Sequence, residues 1–427
     1  MRILTRSPSL HPRWFALLLI AVMVVPVSAI LLINLSKDPF QIFIADPLGD
    51  AVFLGGHGKS RYQQASVVRH YQPGSVVIGH SLAANFLPSR MEELLGWGRV
   101  YSLAMPGATI YEQSLVAQFA LAHSDIERVL WLFSPVNLRL GAFVTQPKVK
   151  FPNYLYDNFR PNDLSFFATL PENLAPYVEQ KQALRNRLKL ARFSAKAKVD
   201  SRDYATAWHY INNHKFNVPY RVVNSIIGAG KDVRISYDQA VEKAGPGLTP
   251  TDISNINIDP DNNFFENLGR NVFAVIEANP DTQFSVVLLP PLTRLYWQHL
   301  RTSEPDKYKL YLAYVREATS ILSKLDNVSL YAFGREDFSE DLRLYRDDVH
   351  FHIVANDYML AEIAGGRGEL STKTVNKYLS AFDADVRSYR LPARFPVEKL
   401  NGELLKRGEL TMDQAVQILE SHTRQVE

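Results

Sequence analysis

The chain contains no cysteine among its 427 residues. Disulfides, thiolate metal sites and a cysteine nucleophile are thereby excluded. An excess of charge of either sign is missing as well: 47 Lys and Arg stand against 44 Asp and Glu, for a formal net charge of +3. That balance offers no electrostatic footprint for nucleic acid, so none is expected as a partner. No internal repeat and no low-complexity tract is visible. Long apolar runs are absent too, except for one at the N-terminus.

That exception spans residues 14–33, WFALLLIAVMVVPVSAILLI, and carries no charge. A run of 20 residues suffices to cross a hydrocarbon core. Arg2, Arg6 and Arg13 precede it, and the positive-inside rule keeps such a flank in the cytoplasm. A cleaved signal peptide is the competing reading, with Val27, Ser28 and Ala29 as the small residues at the cut. The run continues past that point through residues 30–33, longer than an ordinary signal core, which favours an uncleaved anchor. The expected layout is a cytoplasmic N-terminus at 1–13, a transmembrane anchor at 14–34 and a juxtamembrane connector at 35–60. The rest would lie on the periplasmic or extracellular side of a cytoplasmic or inner membrane.

Beyond the connector, short apolar runs alternate with helical periods. Strands are expected at 75–78, 100–105 and 129–133, with helices at 82–95 and 109–123 between them. From about 140 to 260 the rhythm breaks, and aromatic, proline and basic residues predominate. Within it, residues 177–198 form a basic helix candidate that could meet an anionic lipid or glycan, although a solvated face explains such a run equally simply. The alternation returns with helices at 264–278, 308–324 and 355–363 and strands at 284–289 and 328–333. The pattern predicts an α/β domain over 61–365, a doubly wound and mainly parallel sheet with a mostly helical insert at about 140–260. A charged helical C-terminal extension is expected over 366–427.

Two short motifs carry possible chemistry. The first is Val76-Val77-Ile78-Gly79-His80-Ser81-Leu82, which sets a serine where a buried strand gives way to a helix. Ligands in open α/β sheets bind beyond the carboxyl ends of the strands. The backbone N–H groups opening the next helix are suited to an oxyanion. The second is Tyr345-Arg346-Asp347-Asp348-Val349-His350-Phe351. A serine nucleophile needs a base and the base an orienting carboxylate, and Asp347 and His350 are spaced to face one pocket. The plain alternatives are an N-cap serine, acidic residues capping a helix and a surface histidine.

Taken together, these blocks resemble the SGNH (GDSL-type) superfamily of serine ester hydrolases and acyltransferases, whose nucleophile follows the first strand and whose Asp-x-x-His motif precedes the last helix. The resemblance covers about residues 70–140 and 260–365. It is closest to the membrane-anchored cell-envelope branch, through phrases such as Pro106-Gly107-Ala108-Thr109 and Leu289-Pro290-Pro291. It implies Ser81 as nucleophile, His350 as base, Asp347 as its orienting acid, and Gly107 and Asn137 as oxyanion-hole donors after the second and third strands. The sequence departs from the family pattern at His80, where Asp, Ser or Thr is usual, and at Pro135, where a glycine is usual.

The implied function is an extracytoplasmic ester hydrolase or O-acyl (acetyl) transferase acting on a cell-envelope glycan. It would need no metal and no organic cofactor. The expected partners are the membrane, an envelope polysaccharide or acyl donor, and envelope biosynthesis proteins. The alternative is a catalytically silent SGNH-like module that binds glycan or scaffolds an envelope complex. Two rival motifs fit less well. Gly79-His80-Ser81-Leu82-Ala83 is short of the last glycine of the α/β-hydrolase elbow. Residues 55–60, GGHGKS, copy only the end of a P-loop. A metal pair at His350 and His352 would have no further acidic ligands at a suitable spacing.

Overall fold

Apolar runs such as Val76-Val77-Ile78 have two faces to bury and therefore favour the middle of a parallel sheet. In the computed structural model of the protein they occupy that place. The structure describes residues 12–38, 42–43, 59–168, 200, 202–203, 219–228, 231–391 and 412–423. The basic stretch at 177–198 and most of the connector at 35–60 lie outside these residues.

Six strands form one sheet: β1 (Ser75–Gly79), β2 (Val100–Ser102), β3 (Arg128–Leu132), β4 (Gln283–Leu289), β5 (Val328–Ala332) and β6 (Glu369–Leu370). Their order is β2-β1-β3-β4-β5-β6, all parallel except the β5–β6 pair. The protein is thus α/β, as the alternation predicts. The chain moves outward from β1 to β2, then reverses across β1 to β3. Right-handed crossovers place the helices of the two directions on opposite faces. Accordingly, Pro88–Leu95 on one face packs against Ile353–Ala364, while Ile110–His123 on the other packs against β1 and Ala274–Glu277. The reversal leaves a crevice beyond the carboxyl ends of β1 and β3.

Local chemistry explains where elements depart from expectation. The helix expected at 82–95 splits into a short 3₁₀ turn, Ala83–Asn85, and a helix, Pro88–Leu95. Pro88 has no N–H to donate to a preceding turn, so it opens a helix rather than continuing one. The strand expected at 100–105 is regular only to Ser102. Leu103 and Met105 nevertheless donate their N–H groups to the Val77 and Gly79 carbonyls, at 2.8 and 2.9 Å. Helix Arg294–Ser303, capped by the Thr293 side chain, was not among the expected elements.

Nor does the sheet stop at 365. Leu370 of β6 pairs with Leu330 of β5, and helix Val375–Ser388 buries Leu379, Phe382 and Val386. The first part of the expected extension therefore belongs to the domain core. Within the insert no strand occurs among the described residues, which form short helices such as Pro219–Ile226 and Lys231–Glu242.

At the N-terminus, helix Pro12–Lys37 contains the uncharged run. Its apolar side chains stand exposed, with Trp14 65% and Val22 64% accessible. No helix is long and apolar enough to cross a membrane among the described residues. In this helix those residues include the side chains of 13–26 and 28 only.

Candidate active site

The turn that carries Ser81 is built by close packing at the end of β1. Gly79 pairs with Leu132 of β3 and accepts the Met105 N–H, so three chain segments converge on it. A Cβ at Gly79 would sit 2.6 Å from the Ala83 Cβ and 2.7 Å from the Leu132 carbonyl oxygen. Only glycine lets the turn approach the sheet this closely. Ser81 follows it, half-buried at the crevice. Asn356, on helix Ile353–Ala364, donates its side-chain N–H to the Leu82 carbonyl at 3.2 Å and ties the turn to the last crossover helix.

Asp347 and His350 sit at the tip of a small hairpin. Tyr345 and Phe351 form an antiparallel bridge, and both rings are buried. The Tyr345 hydroxyl donates to the Pro291 carbonyl at 2.5 Å, anchoring the hairpin to the loop after β4. The tip is thereby held over the strand ends. Thr293 adds a further link from its hydroxyl to the Asp348 carbonyl at 3.3 Å.

Across this tip the side chains connect in series. His350 Nε2 lies 2.8 Å from Ser81 Oγ. His350 Nδ1 lies 2.9 Å from both Asp347 carboxylate oxygens. A carboxylate accepts only, so Nδ1 carries the ring proton and Nε2 is left to accept from the serine hydroxyl. Asp347 Oδ1 also accepts the backbone N–H groups of Val349 and His350, at 3.1 and 2.8 Å. Burial pushes the Asp347 carboxyl up, but the hydrogen bonds and charge of His350 with these two N–H groups leave it below the ordinary carboxylate range. It is an anion at neutral pH. Residues distant in sequence thus meet in one hydrogen-bonded chain.

The remaining predicted residues stand at neighbouring strand ends. Gly107 follows β2 with φ of +68°, a left-handed conformation that glycine adopts without strain. Its N–H and that of Ser81 donate to no group among the described residues. Asn137 follows β3 in the short helix Pro135–Leu138. Its Oδ1 accepts from the Ser134 N–H at 3.2 Å and the Ser134 hydroxyl at 3.1 Å. The oxygen is thereby committed to Ser134, and the amide N–H groups of Asn137 are its donors. Pro135 fits this turn as its first residue, where no N–H is needed.

His80 takes part in the turn itself. Its Nδ1 accepts the Leu82 N–H at 3.4 Å, as an Asp or Ser oxygen does in turns of this kind. The Leu82 N–H is thereby occupied within the turn. Burial, with the nearby His350 second, lowers the His80 ring to about 4, so it is neutral at physiological pH. His352, the other histidine of the motif, is fully buried and caps helix Ile353–Ala364 through the Val354 N–H. It does not share an outward face with His350.

Three residues of the site escape sequence reasoning: Arg61, Glu112 and Gln146. Arg61 and Glu112 form a fully buried pair at 2.7 Å beneath the Gly107 loop. Gln146, from the start of the insert, donates to the Gly107 carbonyl at 2.9 Å. The one legible signal is Thr109 followed three residues later by Glu112, a capping-box spacing that the structure realises. No family model matches the chain, and no curated protein does.

Proposed function

We propose that the protein is a serine-dependent ester hydrolase or O-acyl transferase of the SGNH type. The observation that carries this reading is the continuous chain from Ser81 Oγ through His350 to Asp347, with separations of 2.8 and 2.9 Å. Random placement of a serine, an imidazole and a carboxylate does not produce that order and tautomer. The strand order and the positions of Gly107 and Asn137 at the adjacent strand ends support the same reading.

In the proposed reaction, Ser81 Oγ attacks an ester carbonyl while its proton passes to His350 Nε2. The imidazolium is stabilised by the Asp347 carboxylate. The oxyanion is received by the Ser81 and Gly107 N–H groups and the Asn137 amide, each donor contributing a factor of about 10²–10³. The C–O bond to the leaving alcohol then breaks, and that oxygen takes the proton from His350. An acyl-Ser81 remains. Water or a sugar hydroxyl, deprotonated by His350, releases the acyl group in the second half.

We place this domain outside the membrane, tethered by the helix Pro12–Lys37. Its uncharged run, exposed apolar side chains and preceding arginines support an anchor. A tether of that kind suits an acyl acceptor in the cell envelope, such as a polysaccharide. The full chain, mixed with an aryl acetate, is expected to release a burst of phenolate equal to the enzyme present. Ser81→Ala should abolish the burst. A folded wild-type chain with no burst and no turnover would instead favour a silent binding module.

A further inference from the structure

We infer that Arg61 and Gln146, braced by Glu112, lock the two peptide planes flanking Gly107 so that its N–H stays turned toward the oxyanion. This rests on the ester chemistry proposed above and assigns its oxyanion loop three positioning residues. The geometry is specific. The Gly107 N–H shares a peptide plane with the Pro106 carbonyl, and in a trans peptide the two point in opposite directions. Arg61 Nη1 donates to that carbonyl at 3.3 Å from the buried side. With the oxygen drawn inward, the N–H must face outward, away from the core.

The next plane is fixed in the same manner. Gln146 Nε2 holds the Gly107 carbonyl at 2.9 Å. A glycine at φ of +68° is free to rotate when nothing restrains it. A flip of the first plane would remove the donor; the second plane, whose own N–H is that of Ala108 and donates to the Met105 carbonyl at 2.9 Å, holds the far side of the glycine against which the first could turn. Glu112 joins the supports. Its Oε1 accepts from Arg61 Nε at 3.0 Å and from the Gln146 backbone N–H at 3.1 Å. Its Oε2 accepts from Arg61 Nη2 at 2.7 Å and from the Thr109 N–H at 3.1 Å. One carboxylate thus ties the helix before β1, the loop after β2 and the first residues of the insert.

This arrangement explains why a buried ion pair is kept here. Such a pair gives little net stability over apolar residues, yet the Arg61 charge also polarises the peptide whose N–H is the donor, strengthening that donor. It also gives the start of the insert a task in the site: Gln146 brings the insert into contact with the oxyanion loop.

The test is Gln146→Met, which preserves side-chain length and removes the donor, made in the full-length chain. Two quantities are read: the burst rate with an aryl acetate across concentrations, and amide hydrogen exchange of the peptide containing Gly107. The expected result is a limiting acylation rate at least tenfold lower, part of the factor of about 10²–10³ carried by one oxyanion donor. Half-saturation should change less than twofold, and exchange at residues 106–108 should quicken. Gln146→Lys, which restores a donor of similar reach, should recover part of the rate. A wild-type burst with an unchanged Gln146→Met rate, or with unchanged exchange, overturns this inference alone. A wild-type chain that gives neither burst nor turnover overturns the reaction and this inference with it.

Discussion

Two side-chain pairs of the site stand in opposite surroundings. Arg61 and Glu112 have no accessible side-chain surface, whereas His350 and Asp347 keep 24% and 31% of theirs. The buried pair is saturated: its carboxylate accepts bonds from Arg61, Thr109 and Gln146, and nothing remains for a substrate or for water. The open pair reaches the crevice instead: one imidazole nitrogen meets the Asp347 carboxylate and the other the Ser81 hydroxyl. A pair that orients can be sealed into the core; a pair that moves protons has to meet the crevice. This difference separates positioning from chemistry more cleanly than distance from Ser81 does.

Changes to the two pairs should therefore fail in different ways. The largest effect is expected from Asp347→Asn. An asparagine oxygen can still accept the Val349 and His350 N–H groups, so the tip stays folded. It no longer fixes the ring tautomer, and acylation by an aryl acetate should fall by about 10²–10⁴, with the thermal midpoint nearly unmoved. A midpoint that drops while the rate survives would erase the distinction between the pairs.

Glu112→Ala should show the reverse balance. It takes the hydrogen-bonded carboxylate away from the buried Arg61 guanidinium and should cost about 3–5 kcal/mol in denaturant unfolding. A loss below about 1 kcal/mol, the range of exposed pairs, would mean that the pair is reached by water.

A smaller and graded effect concerns pH. Burial lowers His352 from 6.5 to about 3, so the fold holds it neutral. With a depressed folded-state value, its contribution is complete above pH 6.5 and is lost as pH falls from there toward 3. The slope is about 1.4 kcal/mol per pH unit over that window. Asp357, raised by burial to about 6, acts in the opposite direction over part of the same range. His80, lowered to about 4, adds to the decline between pH 6.5 and 4, so the wild-type curve shows the net of these opposing groups. His352→Asn, which preserves a capping side chain, should flatten the decline between pH 6 and 4 by about that slope. Unfolding curves at several pH values would read it.

The smallest effect is predicted where neither burial nor chemistry applies. Lys307 and Glu304 pair at 2.9 Å with 34% and 51% of their side chains exposed. Lys307→Ala should shift stability by no more than about 0.5 kcal/mol.

Much of this was legible in the sequence, for reasons tied to particular residues. Short fully apolar runs such as residues 129–133 fit buried central strands, and β3 covers most of that run. The serine block at one such strand end and the Asp-x-x-His block before helix Ile353–Ala364 could be located by their types and spacing. What stayed hidden is tertiary. The bond from Tyr345 to the Pro291 carbonyl joins segments 54 residues apart, and that from Gln146 to Gly107 joins segments 39 apart. Neither leaves a local pattern. The edge strand β6 has two residues and no periodicity to show. The split of the helix after Ser81 was readable from Pro88, because proline in that position starts a helix.

Mass spectrometry of the full-length chain after treatment with a fluorophosphonate tests the central claim most directly. We predict one covalent adduct per chain, located on Ser81 and absent from His350→Gln. A folded chain that carries no adduct, or carries it on another residue, would contradict the account.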